Sequence, residues 1–359
     1  MNGGRGAKPW AFRPEPAIMP PMNKHHRIAG RGKIALGAAL IAVFAGWTSR
    51  AQNAAVLRVQ SRLIFGRLPA RMPGAQADTP ARVALGEKLY FDKRLSVNDS
   101  QSCDTCHLLG DRHAGVDNEP TSPGALGKRG DRNSPTTLNA GFHLAQFWDG
   151  HAPTLEAQAK DPLLDPGEMA MPDAEAVVKK LAALPEYPPL FARAFPKKPE
   201  ITFDHLAEAI AAFERTLITH DRFDDFLNGD SAALSPKELR GLETFLSVGC
   251  LTCHMGPLLG GNMYQKIGVA HPYENTADKG RYAVTHDEND LYKFKVPSLR
   301  NVALTRPYFH DGSRETLARA VRDMAWLELD RKLTDAETDL IVMFLQTLSD
   351  KARAPRDTE

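Results

Sequence analysis

Cysteine is scarce in this chain, four residues in 359, and none is left for a disulfide, because all four fall inside two copies of one pentapeptide. Neither sign of charge is in excess. A formal net charge of +1 gives no reason to propose nucleic acid or an acidic surface as the partner. No stretch of any length alternates apolar and polar residues as a half-buried strand does. The long apolar run Ile34 to Trp47 is short for a bilayer-spanning helix. No Arg-Arg pair precedes it, which argues for export of an unfolded chain rather than the twin-arginine route.

What is present is concentrated in the two pentapeptides, Cys103-Asp104-Thr105-Cys106-His107 and Cys250-Leu251-Thr252-Cys253-His254. Both read C-x-x-C-H. That spacing lets two thiols add across the two vinyl groups of one haem while the adjacent histidine ligates the iron. A zinc site built on Cys, Cys and His would need a fourth ligand from elsewhere. Two copies that consume every cysteine identify a two-haem c-type cytochrome.

The length fits about two domains of ordinary size. Glycine and proline are plentiful, 27 and 26 residues, as expected of loop-rich folds wrapped around a cofactor. At the N-terminus Lys24, Arg27, Arg31 and Lys33 precede the apolar run, and Ser49-Arg50-Ala51 follows with small residues at the spacing a signal peptidase needs. Residues 1–51 are therefore expected to be an extension plus a cleaved signal peptide, with Met22 as the alternative start, and the location periplasmic. Residues 52–79 carry no convincing amphipathic period and read as a linker.

From Pro80 onward the pattern is helical. A helix is expected over Arg82–Leu95, leading into the first pentapeptide. Val116 to Thr137 is rich in Gly, Pro, Asn and Asp and reads as a long loop with a use. Ala174–Ala183 and Phe203–Leu217 carry apolar residues at helical spacing, including Leu206, Ile210, Phe213 and Leu217. Ser235-Pro236-Lys237-Glu238 and Thr334-Asp335-Ala336-Glu337 are capping boxes that open two further helices. The expected fold is mainly α, with two cytochrome-c-like domains, each carrying one covalently attached haem, over residues 80–230 and 231–350.

The sixth ligand decides what each haem does. Histidine with methionine closes the iron for electron transfer; histidine alone leaves a face open to peroxide. With ten methionines in the chain, spacing alone does not choose one.

Four strings in this region carry a resemblance: Val296 to Ser313 (V-P-S-L-R-N-V-A-L-T-R-P-Y-F-H-D-G-S), Arg132–Thr136 (R-N-S-P-T), Gln146–Gly150 (Q-F-W-D-G) and Asp278–Thr285 (D-K-G-R-Y-A-V-T). In order and spacing they are similar to the bacterial dihaem cytochrome c peroxidase family, which includes MauG, over roughly Pro80 to Ser349. The resemblance implies that Met324 joins His254 on a high-potential haem that receives electrons. It implies that the His107 haem is the peroxide site, with Glu168 as acid/base and with Gln158 and Pro162 lining the same pocket. Trp148 matches a tryptophan between the haems, suited to relaying electrons. Asn133, with the backbone carbonyls of Thr305 and Pro307, matches an interhaem calcium site of the oxygen-rich kind that calcium favours. One departure stands out. Where many members carry a histidine that closes the peroxide face at rest, after Thr121-Ser122-Pro123-Gly124, this chain has Ala125. An iron open at rest is the consequence, unless His113 substitutes.

The activity implied is reduction of hydrogen peroxide to water, fed by a small c-type cytochrome or cupredoxin, with a homodimer as a weaker implication. Two rivals share the same haems. A MauG-like oxidase acting on a partner protein is favoured by Ala125 and opposed by Met324, since MauG has a tyrosine there. A non-catalytic electron carrier would close both irons.

Overall fold

The computed structural model describes residues 53–355. The expected signal peptide lies outside the described residues. The helices are α1 (residues 53–65), α2 (Pro80–Tyr90), α3 (Cys103–Cys106), α4 (Leu155–Gln158), α5 (Asp161–Leu164), α6 (Ala174–Ala182), α7 (Tyr187–Ala194), α8 (Phe203–Glu214), α9 (Arg222–Asn228), α10 (Pro236–Val248), α11 (Tyr282–Thr285), α12 (Leu317–Leu329) and α13 (Asp335–Gln346). The strands among the described residues, β1 (Tyr264–Lys266) and β2 (Lys293–Lys295), form one antiparallel pair. Three residues each is too short to leave an alternating pattern in the sequence.

Several helix starts are fixed by their caps. Thr79, Thr202, Ser235 and Thr334 each accept a hydrogen bond from the backbone three residues on, and Ser235 and Thr334 close full capping boxes with Glu238 and Glu337. The expected helix to Leu95 stops earlier, at Tyr90, and resumes as a single 3-10 turn over Lys93–Leu95 capped by Asp92.

Residues 53–65 correct the linker expectation. They form α1, which buries Leu57 and Phe65 in a core shared with Phe223, Phe245 and Phe344. The buried stripe is Leu57, Ser61, Phe65, and Ser61 is fully buried at its centre. A polar residue in mid-stripe hides the helical period from a hydropathy reading.

Two apolar cores form around two helix pairs. One draws on α2, α6, α7 and α8, the other on α1, α9, α10 and α13. The two pairs are joined in the same way. A Cβ on Gly86 of α2 would lie 1.8 Å from the Ala209 carbonyl oxygen and 3.0 Å from Phe213 Cβ of α8. A Cβ on Gly241 of α10 would lie 2.1 Å from the Leu340 oxygen and 3.0 Å from Phe344 Cβ of α13. One turn beyond each glycine an aromatic meets the same partner, Tyr90 on Phe213 at 5.2 Å and Phe245 on Phe344 at 5.3 Å. Gly86→Ala is expected to cost at least ~1–3 kcal/mol, the usual range for overpacking, because backbone rather than a movable side chain blocks the methyl group. Thermal unfolding of the variant checks this; an unchanged midpoint would show that the helices part freely.

The correspondence extends into the loops. Asn139 and Asn301 both adopt φ 63°. Their N–H groups donate to Leu217 and Leu348 oxygens, and their side-chain oxygens accept from the backbones of Thr219 and Asp350. Each is followed by a 3-10 turn, then by a positive-φ phenylalanine (Phe147, Phe309), an Asp-Gly (Asp149-Gly150, Asp311-Gly312) and a threonine helix cap (Thr154, Thr316). The bridges Gln146–Ala152 and Tyr308–Arg314 also match. Residues 133–155 and 295–317 are thus two copies of one structural unit at a constant sequence offset. In this pairing Trp148 corresponds to His310, and the two rings meet edge to face at 6.3 Å.

Candidate active site

The first pentapeptide folds as the single turn α3, with the Ser102/Thr105 capping box in front and the Leu109 N–H on the Asp104 carboxylate behind. His107 follows at the turn's end. Its Nδ1 lies 3.3 Å from the Gly115 oxygen, and the Tyr90 hydroxyl donates to the His107 carbonyl at 2.7 Å. Burial holds the imidazole below its ordinary basicity. A neutral ring that donates from Nδ1 presents a bare Nε2, which is the form an iron ligand needs.

Gln158, Pro162, Glu168 and Glu214 line one pocket with Cys103, Cys106 and His107. Glu168 sits in a turn whose N–H bonds the Asp165 oxygen. Burial, reinforced by the charges of Asp165 and Asp161, raises its carboxyl to about 7, against a weaker opposing pull from His151. The Thr121–Ala125 loop lies directly against this turn. The Ala125 N–H donates to the Glu168 oxygen at 2.6 Å, and a Cβ on Gly124 would lie 2.0 Å from the Gly167 oxygen. Position 125 is therefore beside Glu168, as a closing ligand would have to be, but a methyl group offers no donor atom. His113 is not among the residues lining this pocket; its carbonyl accepts from Arg353 Nε at 2.9 Å.

The second pentapeptide ends α10 through Gly249, in a left-handed conformation that glycine adopts without strain. His254 Nδ1 lies 2.9 Å from the Leu259 oxygen, and burial again keeps the ring neutral. A cavity of about 260 Å³ opens beside it, lined by Cys250, Cys253, His254 and, from α12, Met324. Trp148, Asn133, Thr305 and Pro307 line the same cavity. The Trp148 indole N–H donates to the Asn133 oxygen at 2.8 Å. The segment 133–136 lines the His254 cavity, and its Pro135 backbone also acts on the His107 ring.

Asn133 directs its amide N–H group at the Glu119 oxygen, 3.0 Å away, which leaves its own Oδ1 as the oxygen able to face a cation. Among the described residues no group of three or more His, Cys, Asp or Glu is arranged to hold a metal ion, so neither pentapeptide gathers the extra ligand that zinc requires. Neutral imidazoles with bare Nε2 atoms, thiols at thioether spacing and a mostly apolar cavity fit two covalently attached haems.

Sequence reasoning missed Glu214 and the pair Lys295 and His143. Glu214 is 4% exposed, with Oε2 lacking any hydrogen-bond partner, and burial pushes its carboxyl up to about 8. The signal was available, because Glu214 lies one turn past Ile210 on the apolar stripe of α8. Lys295 alternates with Lys293 around Phe294 and carried no signal that it, rather than its neighbour, is buried.

Residues 80–232 match the profile of the di-haem cytochrome c peroxidases. The chain is 45% identical over 267 residues to the cytochrome c551 peroxidase of Nitrosomonas europaea, covering 74% of this chain and 79% of that one. It is 36% identical to the methylamine utilization protein MauG of Methylorubrum extorquens, covering 70% and 71%. A crystal structure of a MauG-like protein associated with microbial copper homeostasis superposes with a TM-score of 0.68 at 29% identity, over 81% of this chain and 94% of that one.

Proposed function

The chain belongs to the di-haem cytochrome c peroxidase family, and from that premise we propose that it is a periplasmic peroxidase reducing hydrogen peroxide to water. In this reading Cys103, Cys106 and His107 hold one c-type haem, Cys250, Cys253, His254 and Met324 the other, in two cytochrome-c-like halves over residues 80–230 and 231–350. When bound, the haems would supply the redox chemistry, with peroxide reduction at the group that His107 would hold and electron storage at the one that His254 and Met324 would hold.

The observation that carries the reading is Glu168, a half-buried carboxyl in the His107 pocket, raised to about 7. Peroxide takes up two electrons and two protons to give two waters. A group that titrates near neutrality takes a proton from one peroxide oxygen and returns it to the departing one at least cost. Gln158 lines the same pocket and is positioned to orient peroxide by its amide. Trp148, fixed by its bond to Asn133, offers an aromatic bridge beside the segment 133–136. Asn133 with the Thr305 and Pro307 carbonyls is the proposed calcium site. The donor is a small c-type cytochrome or cupredoxin. Among the described residues no helix is long and apolar enough to cross a membrane.

Ala125 also favours a MauG-like oxidation of a partner protein. Met324 on the His254 cavity weighs against it, and Glu168 in the His107 pocket weighs against a plain electron carrier. Optical and low-temperature EPR spectra of the oxidised protein, followed by peroxide titration without prior reduction, separate these readings. One high-spin and one low-spin haem with immediate reaction is the expected result. Two low-spin haems that stay silent even after partial reduction would sink the peroxidase in favour of the carrier.

A further inference from the structure

Lys295 is 5% exposed and forms no ion pair among the described residues. Its ammonium donates to His143 Nδ1 at 2.8 Å, which places the ring proton of the neutral imidazole on Nε2. That Nε2 is itself buried and has no partner. Asp149, the carboxylate whose charge acts on Lys295, is engaged by Arg132 and His151. Two buried donors thus lack an anion, and both residues line the His254 cavity. A buried ammonium without a counter-charge is costly, and loses its proton readily; burial lowers this one to about 7.

The repeated unit gives these residues a second meaning. Its offset carries Asn133 onto Lys295, and Thr305 and Pro307 onto His143 and Ala145. The backbone agrees: the Asn133 N–H donates to the His310 oxygen at 2.8 Å and the Lys295 N–H to the Trp148 oxygen at 2.7 Å. The proposed calcium site, with one residue from the first copy and two from the second, is therefore matched by a cluster with the copies exchanged, whose cation is covalently part of the chain.

We propose that Lys295 is a tethered cation, the internal counterpart of the proposed calcium ion, and that with His143 it receives a carboxylate of the haem held by His254. This rests on the two-haem reading. A positive charge at that carboxylate disfavours the oxidised, more positive iron and so raises the potential of the Met324-side haem.

The test is spectroelectrochemical titration of both haems in the dihaem protein carrying Lys295→Met or Lys295→Arg. Lys295→Met is expected to lower the potential of the Met324-side haem and leave the other in place, and Lys295→Arg to restore most of the shift. Unmoved potentials in Lys295→Met, or equal shifts in both variants, would overturn the assignment. Should Lys295→Met not accumulate as holoprotein, Lys295→Gln keeps a polar head against His143 and carries the same expectation. A pyridine haemochrome assay of the unmutated protein showing fewer than two c-type haems would instead overturn the two-haem reading itself.

Discussion

Glu168→Gln is expected to reduce kcat/KM for peroxide by about 10²–10⁴-fold, the usual worth of a positioned general acid/base, with both haems attached and both spectra unchanged. The substitution keeps shape and hydrogen-bonding capacity but removes the only step at issue, the uptake and return of a proton. The pH profile supplies a second signature. The base acts when deprotonated, and burial raises Glu168 to about 7. Activity should therefore climb with pH through about 7 and level off above, and this limb should vanish in the variant. Glutamine at 168 with full turnover would remove Glu168 from the chemistry. A limb that survives there but disappears in Glu214→Gln would pass the role to Glu214, the other carboxyl of that pocket.

Met324→Leu should act at the other site. Leucine preserves the volume of the side chain, so folding should change by less than ~1.5 kcal/mol. Loss of the thioether ligand should nevertheless convert the His254 haem to high spin and lower its potential by roughly 0.1 V or more, within the ~0.8 V range that axial ligands command. Turnover fed by an external donor should collapse with it. A low-spin haem at its original potential would mean that another side chain of the cavity closes the iron.

The sequence disclosed features whose chemistry is local and missed those that depend on packing. The pentapeptides and the capping boxes at Ser235 and Thr334 need only their immediate neighbours, and they stand where the spacing predicts. Helix α1 was hidden by Ser61, whose burial depends on the surrounding core. Glu214 read as an ordinary glutamate because no local pattern tells a buried carboxyl from a solvated one. The repeated unit was legible in principle, in Pro135, Asn139, Phe147, Asp149, Gly150 and Thr154 against Pro297, Asn301, Phe309, Asp311, Gly312 and Thr316. It escapes a motif search because most of the shared residues serve turns and caps, while many of the residues between them differ, Trp148 against His310 above all. The resemblance pointed to Glu168, Gln158, Met324 and Trp148; the geometry adds the two cavities in which they sit.

The segment 133–136 belongs by sequence to the first copy of the unit, lines the His254 cavity that the second copy also walls, and reaches His107 through the Pro135 backbone. A duplicated segment usually drifts freely once each copy has its own task. Here a change in the first copy reshapes its sibling's cavity, so the copies must diverge in step. Grafting one half from a relative would run a seam through the His254 cavity itself.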